Sequence, residues 1–254
     1  MNARKPWIGT SWKMNKTRIE ALAFARELKG ASPVDLARVH AFVMPPFPYI
    51  ADVAEVLRGT SVRVGAQNMH WADHGAWTGE ISAPMLRDCG ASLVEIGHSE
   101  RRQHFGETDE TVALKTAAAL RHGLTALVCI GDSRAEYESG ETAKVLARQV
   151  RALLKHVGKD ALGHVLIAYE PVWSIGVGGV PATPEFANEQ HVGIAEMVAA
   201  LTGGHLPILY GGSVNATNCA ALVSQHQIDG LFIGRAASDA RNYLAIMQRA
   251  VGAL

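Results

Sequence analysis

Short apolar runs and longer helical segments alternate along this chain, and the alternation leaves few folds open. Eight β-rich runs recur: Trp7 to Gly9, His40 to Met44, Ser61 to Gly65, Ser92 to Gly97, Thr125 to Gly131, His164 to Tyr169, Leu206 to Gly211 and Gly230 to Gly234. Between them lie segments of helical period. Thr17 reads as an N-cap before a stripe running to Leu28, and Gly123 stops a helix over 110–122. Another helix over 141–157 ends at Gly158, Thr183-Pro184 opens one running to about Leu201, and a helix over 237–251 closes the chain. Eight β–α units in 254 residues are the arithmetic of one (β/α)8 barrel, an α/β fold expected to span 1–254 as a single domain. The runs are apolar on both faces, as parallel strands under helices must be. A doubly wound open sheet is the alternative. It usually carries a Gly-rich fingerprint after its first strand, and Gly9-Thr10-Ser11-Trp12-Lys13 is not one.

Composition narrows the function. Hydrophobic residues make up 48% of the chain and charged residues 19%, which is enough apolar surface for a real core and excludes disorder. Lys+Arg and Asp+Glu both number 24, a balance that argues against nucleic-acid or membrane-surface partners. No apolar run approaches the ~18–20 residues of a membrane span, and the first residues hold no signal-peptide core. Cys89, Cys129 and Cys219 lie far apart and are odd in number, so a reducing, cytoplasmic setting is expected.

Position carries the chemistry. In a parallel barrel the C-terminal ends of all strands open on one face, where active sites are built. Lys13 follows the first run, Gln67-Asn68 the third and His98 the fourth. Glu170 follows the sixth, Gly211-Gly212-Ser213 the seventh and Gly234-Arg235 the eighth. An amine, an imidazole, a carboxylate and two glycine turns on one rim suit proton transfer beside the carbonyl of a small phosphorylated molecule. The carboxylate takes the carbon-bound proton, and the imidazole and ammonium stabilise the enediolate. The glycine turns offer backbone N–H groups, helped by a helix N-terminus, to the phosphate. Each residue has a plainer reading. Glu170-Pro171 could simply end a strand, His98 could be a core histidine, and Lys13 could be a solvated lysine. His70 and His74 have an i,i+4 spacing but sit in a Gly/Trp loop, so no metal is expected there. No cofactor is required either.

Five motifs then carry a resemblance. Trp12-Lys13-Met14-Asn15, Gly65-Ala66-Gln67-Asn68, Glu95 to Arg102, Tyr169 to Trp173 and Tyr210 to Val214 resemble triosephosphate isomerase, in that family's order over nearly the whole chain. The resemblance implies a TIM barrel in which Glu170 is the base, His98 the neutral electrophile, Lys13 the oxyanion and phosphate cation, and Glu100 a buried acid near Lys13. Gly176, Ser213, Gly234 and Arg235 would bind phosphate. Pro171 to Ala182 would be a lid containing Trp173, Gly178 and Gly179 and touching Tyr210. The loop over 65–82 would dock a second subunit in a homodimer, with Thr78, Glu80 and Arg101 as contacts. Trp71, Trp77 and Met69 in that loop would be costly to expose on a monomer.

Four positions depart from the family pattern. Ser11 stands where Asn is usual, and Gly234-Arg235 where Gly-Gly is usual. The lid is one residue longer, with a changed C-terminal hinge, and Asp132 replaces the usual Glu. Ser11 is two heavy atoms smaller than Asn, and a hydroxymethyl in place of hydrogen on the reacting carbon adds two. Two substrates therefore stay open. One is the triose pair, D-glyceraldehyde 3-phosphate and dihydroxyacetone phosphate. The other is the four-carbon pair, L-erythrulose 1-phosphate and D-erythrulose 4-phosphate, whose branch of the family these variants resemble. A phosphometabolite-binding barrel without catalysis is a third class. So is another phosphate-binding barrel of aldolase or indole-glycerol-phosphate type, which would need a different acid–base set or a Schiff-base lysine.

Overall fold

A computed structural model of the chain describes residues 5–31, 36–176 and 179–254. Eight strands pair in parallel in the order of the sequence, and the last pairs with the first to close the barrel. They are β1 (Trp7–Ser11), β2 (His40–Met44), β3 (Arg63–Ala66), β4 (Leu93–Ile96), β5 (Thr125–Ile130), β6 (Val165–Tyr169), β7 (Ile208–Tyr210) and β8 (Gly230–Ile233). Each lies on or beside its expected run, because a strand buried on both faces needs apolar residues throughout.

Two apolar layers result from the two-residue period of the strands. Side chains at Phe42, Met44, Leu93, Leu127, Cys129, Leu166, Ala168, Leu209 and Phe232 fill the interior of the barrel. Their neighbours at Ile8, Val43, Val94, Ile96, Val128 and Ile167 pack outward under the helices. At the seam Trp7 pairs with Gly230. A Cβ at Gly230 would come 2.0 Å from the Trp7 carbonyl oxygen, so only glycine lets the strands meet there.

Ten α-helices lie among the described residues. They are α1 (Arg18–Lys29), α2 (Ile50–Leu57), α3 (Ala83–Asp88), α4 (Ser99–His104), α5 (Asp109–Arg121), α6 (Arg134–Glu138), α7 (Thr142–Leu154), α8 (Pro184–Thr202), α9 (Cys219–Val223) and α10 (Ala240–Gly252). The expected starts are visible in their caps. Thr17 and Glu20 form a capping box on α1, and Thr183 accepts from the Phe186 N–H at the start of α8. Gly123, after α5, adopts φ +70°. The last helix begins at Ala240 rather than at 237, because Asp239 caps it by accepting from the Asn242 N–H. Tyr243 of α10 donates to the Ile8 carbonyl at 2.7 Å, tying this helix to the first strand. No described helix is long and apolar enough to cross a membrane.

Candidate active site

The barrel brings Lys13, His98 and Glu170 to one rim from β1, β4 and β6. They line a cavity of about 410 Å³ together with Ser11, Glu100, Ile175, Gly176, Gly211 to Asn215 and Phe232 to Ala236. Glu170 directly follows β6 and is 2% exposed. Its backbone N–H donates to the Ile130 carbonyl at 2.7 Å, and a Cβ on Gly131 would sit 1.9 Å from its carbonyl oxygen. Its carboxylate accepts from the Ser99 N–H at 3.0 Å through Oε2, and Oε1 lies 3.2 Å from His98 Nε2.

His98 is the N-cap of α4, as expected for a residue just past β4. The Glu100 N–H donates to its Nδ1 at 3.1 Å. An Nδ1 that accepts carries no proton, so a neutral ring holds its proton on Nε2, aimed at the cavity and at Glu170. Lys13 adopts the left-handed backbone, at φ +54°, which an ordinary side chain avoids. Gln67 holds that turn by donating to the Lys13 carbonyl at 3.0 Å and to the Met44 carbonyl at 2.8 Å. Lys13 Nζ pairs with Glu100 Oε1 at 2.6 Å. Glu100 is therefore beside Lys13 as expected, but its side chain is 48% exposed rather than buried, because it sits in the first turn of α4 on the rim. Burial alone would raise its pKa; the Lys13 ammonium outweighs that and holds the carboxyl below its ordinary value.

The end expected to hold phosphate differs in one respect. Ser213 and Gly234 border the cavity, but the helix expected directly behind Ser213 begins only at Cys219. Asn215 and Asn218 take up the intervening backbone. Asn215 accepts from the Thr217 N–H at 2.8 Å, and Asn218 donates to the Ser213 carbonyl at 2.8 Å. A short 3-10 turn, Arg235–Ala237, starts at the cavity edge instead. Arg235 Nη2 donates to the Gly176 carbonyl at 3.0 Å, so this side chain holds the segment that the sequence reading expects to be a lid. Gly176 adopts φ +84°, and Gly179 packs where a Cβ would lie 2.5 Å from the Ser174 carbonyl oxygen. Gly178 lies outside the described residues.

The start of that segment is anchored. Pro171 leads into a 3-10 turn, Val172–Ser174, whose Trp173 indole donates to Asp132 Oδ2 at 3.3 Å. Tyr169 and Thr142 also donate to the same buried carboxylate, at 3.1 and 2.7 Å. Trp173 stacks on Tyr137 with ring centroids 4.3 Å apart. The buried Tyr210 hydroxyl borders Gly212 beside Ser174 and makes no well-formed hydrogen bond.

Two residues escaped the sequence reading. Glu95, inside β4, is 2% exposed and accepts from Ser11 Oγ at 2.8 Å across the barrel. Burial pushes its carboxyl up to about 7; His98 pulls down and Glu170 pushes up. An acid within an otherwise apolar run was the available signal. Lys115, buried on α5, holds the start of the third loop by donating to Asn68 at 2.9 Å, and it pairs with Glu107. Arg101 binds Glu107 at 2.9 Å. Arg102 instead ties Gly97 and Asp109.

In the third loop, Thr78 and Glu80 stand on an exposed tip. The apolar exposure expected there is smaller than the sequence suggested. Met69 is buried in its own barrel, Trp71 is half-buried, and Trp77 is 48% exposed. His70 stacks on Trp71 with ring centroids 4.1 Å apart and lies tilted against Trp77 at 4.3 Å. Its Nδ1 accepts from the Ala72 N–H.

A closed parallel barrel with a carboxylate, an imidazole and an ammonium around one mouth is an arrangement able to move a proton beside a carbonyl. The family model described as triosephosphate isomerase matches residues 6–250, and the chain belongs to that family. It is 57% identical over 249 residues to the L-erythrulose-1-phosphate isomerase of Rhizobium etli, covering 98% of this chain and 93% of that one. The protein of that name from Mesorhizobium japonicum is 55% identical, covering 98% of both chains. The one from Brucella abortus is 52% identical over 246 residues, covering 96% of each. The chain is an isomerase.

Proposed function

We propose that this enzyme interconverts L-erythrulose 1-phosphate and D-erythrulose 4-phosphate. The observation that carries the reading is the set of relatives of that name at 52–57% identity over nearly full length. They favour the four-carbon substrate over the triose, which is the second reading and draws on the family description and the shared site chemistry. A one-group difference in substrate size is worth only ~1–3 kcal/mol, so the triose is expected to be a poorer substrate, not a forbidden one.

The geometry supports the following steps. Glu170 leaves the Ser99 N–H and takes the proton from the carbon beside the carbonyl. The C–H electron pair forms the enediol double bond, and the carbonyl oxygen becomes the oxyanion. His98 Nε2–H and the Lys13 ammonium stabilise that oxygen. A proton passes between the two enediol oxygens through His98 Nε2. Glu170 then returns its proton to the former carbonyl carbon, and the neighbouring oxygen becomes the new carbonyl. The phosphate rests against Gly176, Ser213, Gly234 and Arg235. Residues 171–182 close over the site and keep water from the enediolate, which would otherwise expel phosphate.

The enzyme works as a homodimer through the 65–82 loop, whose Trp77 tip is exposed, and the unpaired Cys89, Cys129 and Cys219 suit a reducing cytoplasm. The deciding experiment compares kcat/KM for L-erythrulose 1-phosphate and D-glyceraldehyde 3-phosphate on the purified enzyme. A clear preference for the four-carbon substrate is expected, and a large preference for the triose overturns the reading.

A further inference from the structure

The steps above leave unused one buried carboxylate, Glu95, which touches the cavity-lining residues Ser11 and His98 from below. Glu95 points into the barrel from β4, on the face it shares with Leu93. Its Oε2 accepts from Ser11 Oγ at 2.8 Å. Its Oε1 lies 4.0 Å from His98 Nε2, the same nitrogen that stands 3.2 Å from Glu170 Oε1. The barrel interior it points into is lined by apolar or weakly polar side chains, among them Phe42, Met44, Leu93, Cys129 and Ala168. Burying a carboxylate with one hydroxyl donor is costly. A carboxylate kept there, against the electrophile and the base, has a further partner to meet.

The four-carbon substrate supplies one. Its reacting carbon carries a hydrogen, a hydroxyl and a hydroxymethyl, besides the bond to the carbonyl carbon. With the hydrogen facing Glu170 and the hydroxyl facing His98 and Lys13, the hydroxymethyl is left to point at the floor of the pocket. An apolar floor would strand its hydroxyl without a hydrogen-bond partner. We infer that Glu95, positioned by Ser11, hydrogen-bonds the hydroxymethyl hydroxyl of the four-carbon substrate and thereby sets the preference for four carbons over three. Ser11 acts through Glu95: by occupying Oε2 it presents Oε1 to the substrate. The inference deepens the proposed function and rests on it.

The test uses L-erythrulose 1-phosphate and its analogue with a methyl in place of the hydroxymethyl. The wild-type enzyme should favour the hydroxylated substrate in kcat/KM by about tenfold or more. Glu95→Leu should bring that preference to about unity, and Glu95→Gln, which keeps an acceptor, should retain part of it. The ratio is taken within one protein sample, so a smaller folded fraction cancels. A preference that persists undiminished in Glu95→Leu overturns the inference. Should that variant fail to fold, Glu95→Gln and Ser11→Ala replace it. Each should lower the preference severalfold, and no change in either overturns the inference. Wild-type enzyme that isomerises the triose but neither four-carbon compound overturns the proposed function itself, and the inference with it.

Discussion

Glu170 and His98, the two groups proposed to move protons, lie 3.2 Å apart, and Glu170 must leave the Ser99 N–H to admit a substrate between them. The demand on Glu170 is strict, because a displacement of about 1 Å can cost 10²-fold. Glu170→Asp, which withdraws the carboxylate by one methylene, should lower kcat by roughly that factor with little change in KM. Steady-state kinetics on the preferred substrate check it. Glu95 gives a different signature. Its folded pKa of about 7 stands above the ordinary value of 4.5, so its contribution to stability is fully present below about 4.5 and is lost as pH rises through 7. Burial is what raises it, with Glu170 adding to the rise and His98, Ser11 and Lys13 opposing it. Glu95→Gln removes the loss. Urea denaturation should show the variant gaining on the wild type, between pH 5 and 8, by on the order of 2 kcal/mol. At this scale Lys13, His98 and Glu170 were legible because each follows a strand run, and strand ends share a rim. Glu95 and Lys115 were not, since both act inside elements whose periodicity announces only packing.

Among the elements, the strands and most helix starts could be read because caps and alternation are local. The turn after β7 could not, because Asn215 and Asn218 settle it by side-chain bonds that compete with a helix. The 171–182 segment shows two kinds of hold. Asp132 fixes its start through Trp173, while Arg235 reaches its middle through the Gly176 carbonyl. An exposed hydrogen bond of that kind is worth about 0.5–1.5 kcal/mol. Arg235→Ala should therefore raise KM several-fold and increase inorganic phosphate released per turnover, measured by a coupled phosphate assay. Equal phosphate release in variant and wild type would remove Arg235 from the closure.

For the molecule as a whole, closure of the barrel was legible from the count of runs, whereas the exposure of each residue in the 65–82 loop was not, because it depends on how the loop folds back. Met69 turned inward and Trp77 outward. Trp77→Glu should shift the sedimentation coefficient from dimer toward monomer at micromolar concentration. A wild-type monomer under those conditions would refute the dimer. Tyr243→Phe should destabilise the fold by about 1 kcal/mol through the lost bond to the Ile8 carbonyl, with urea midpoints as the measure.

The Gly230–Trp7 pair has a consequence for what mutation can produce. A methyl group at position 230 would act as a wedge where the ring of strands joins, since the Trp7 carbonyl oxygen lies 2.0 Å from where it would stand. Prised apart there, the sheet gains two raw edges that pair with any neighbour. Gly230→Ala is thus expected in the pellet after expression, not in the supernatant as a sluggish catalyst.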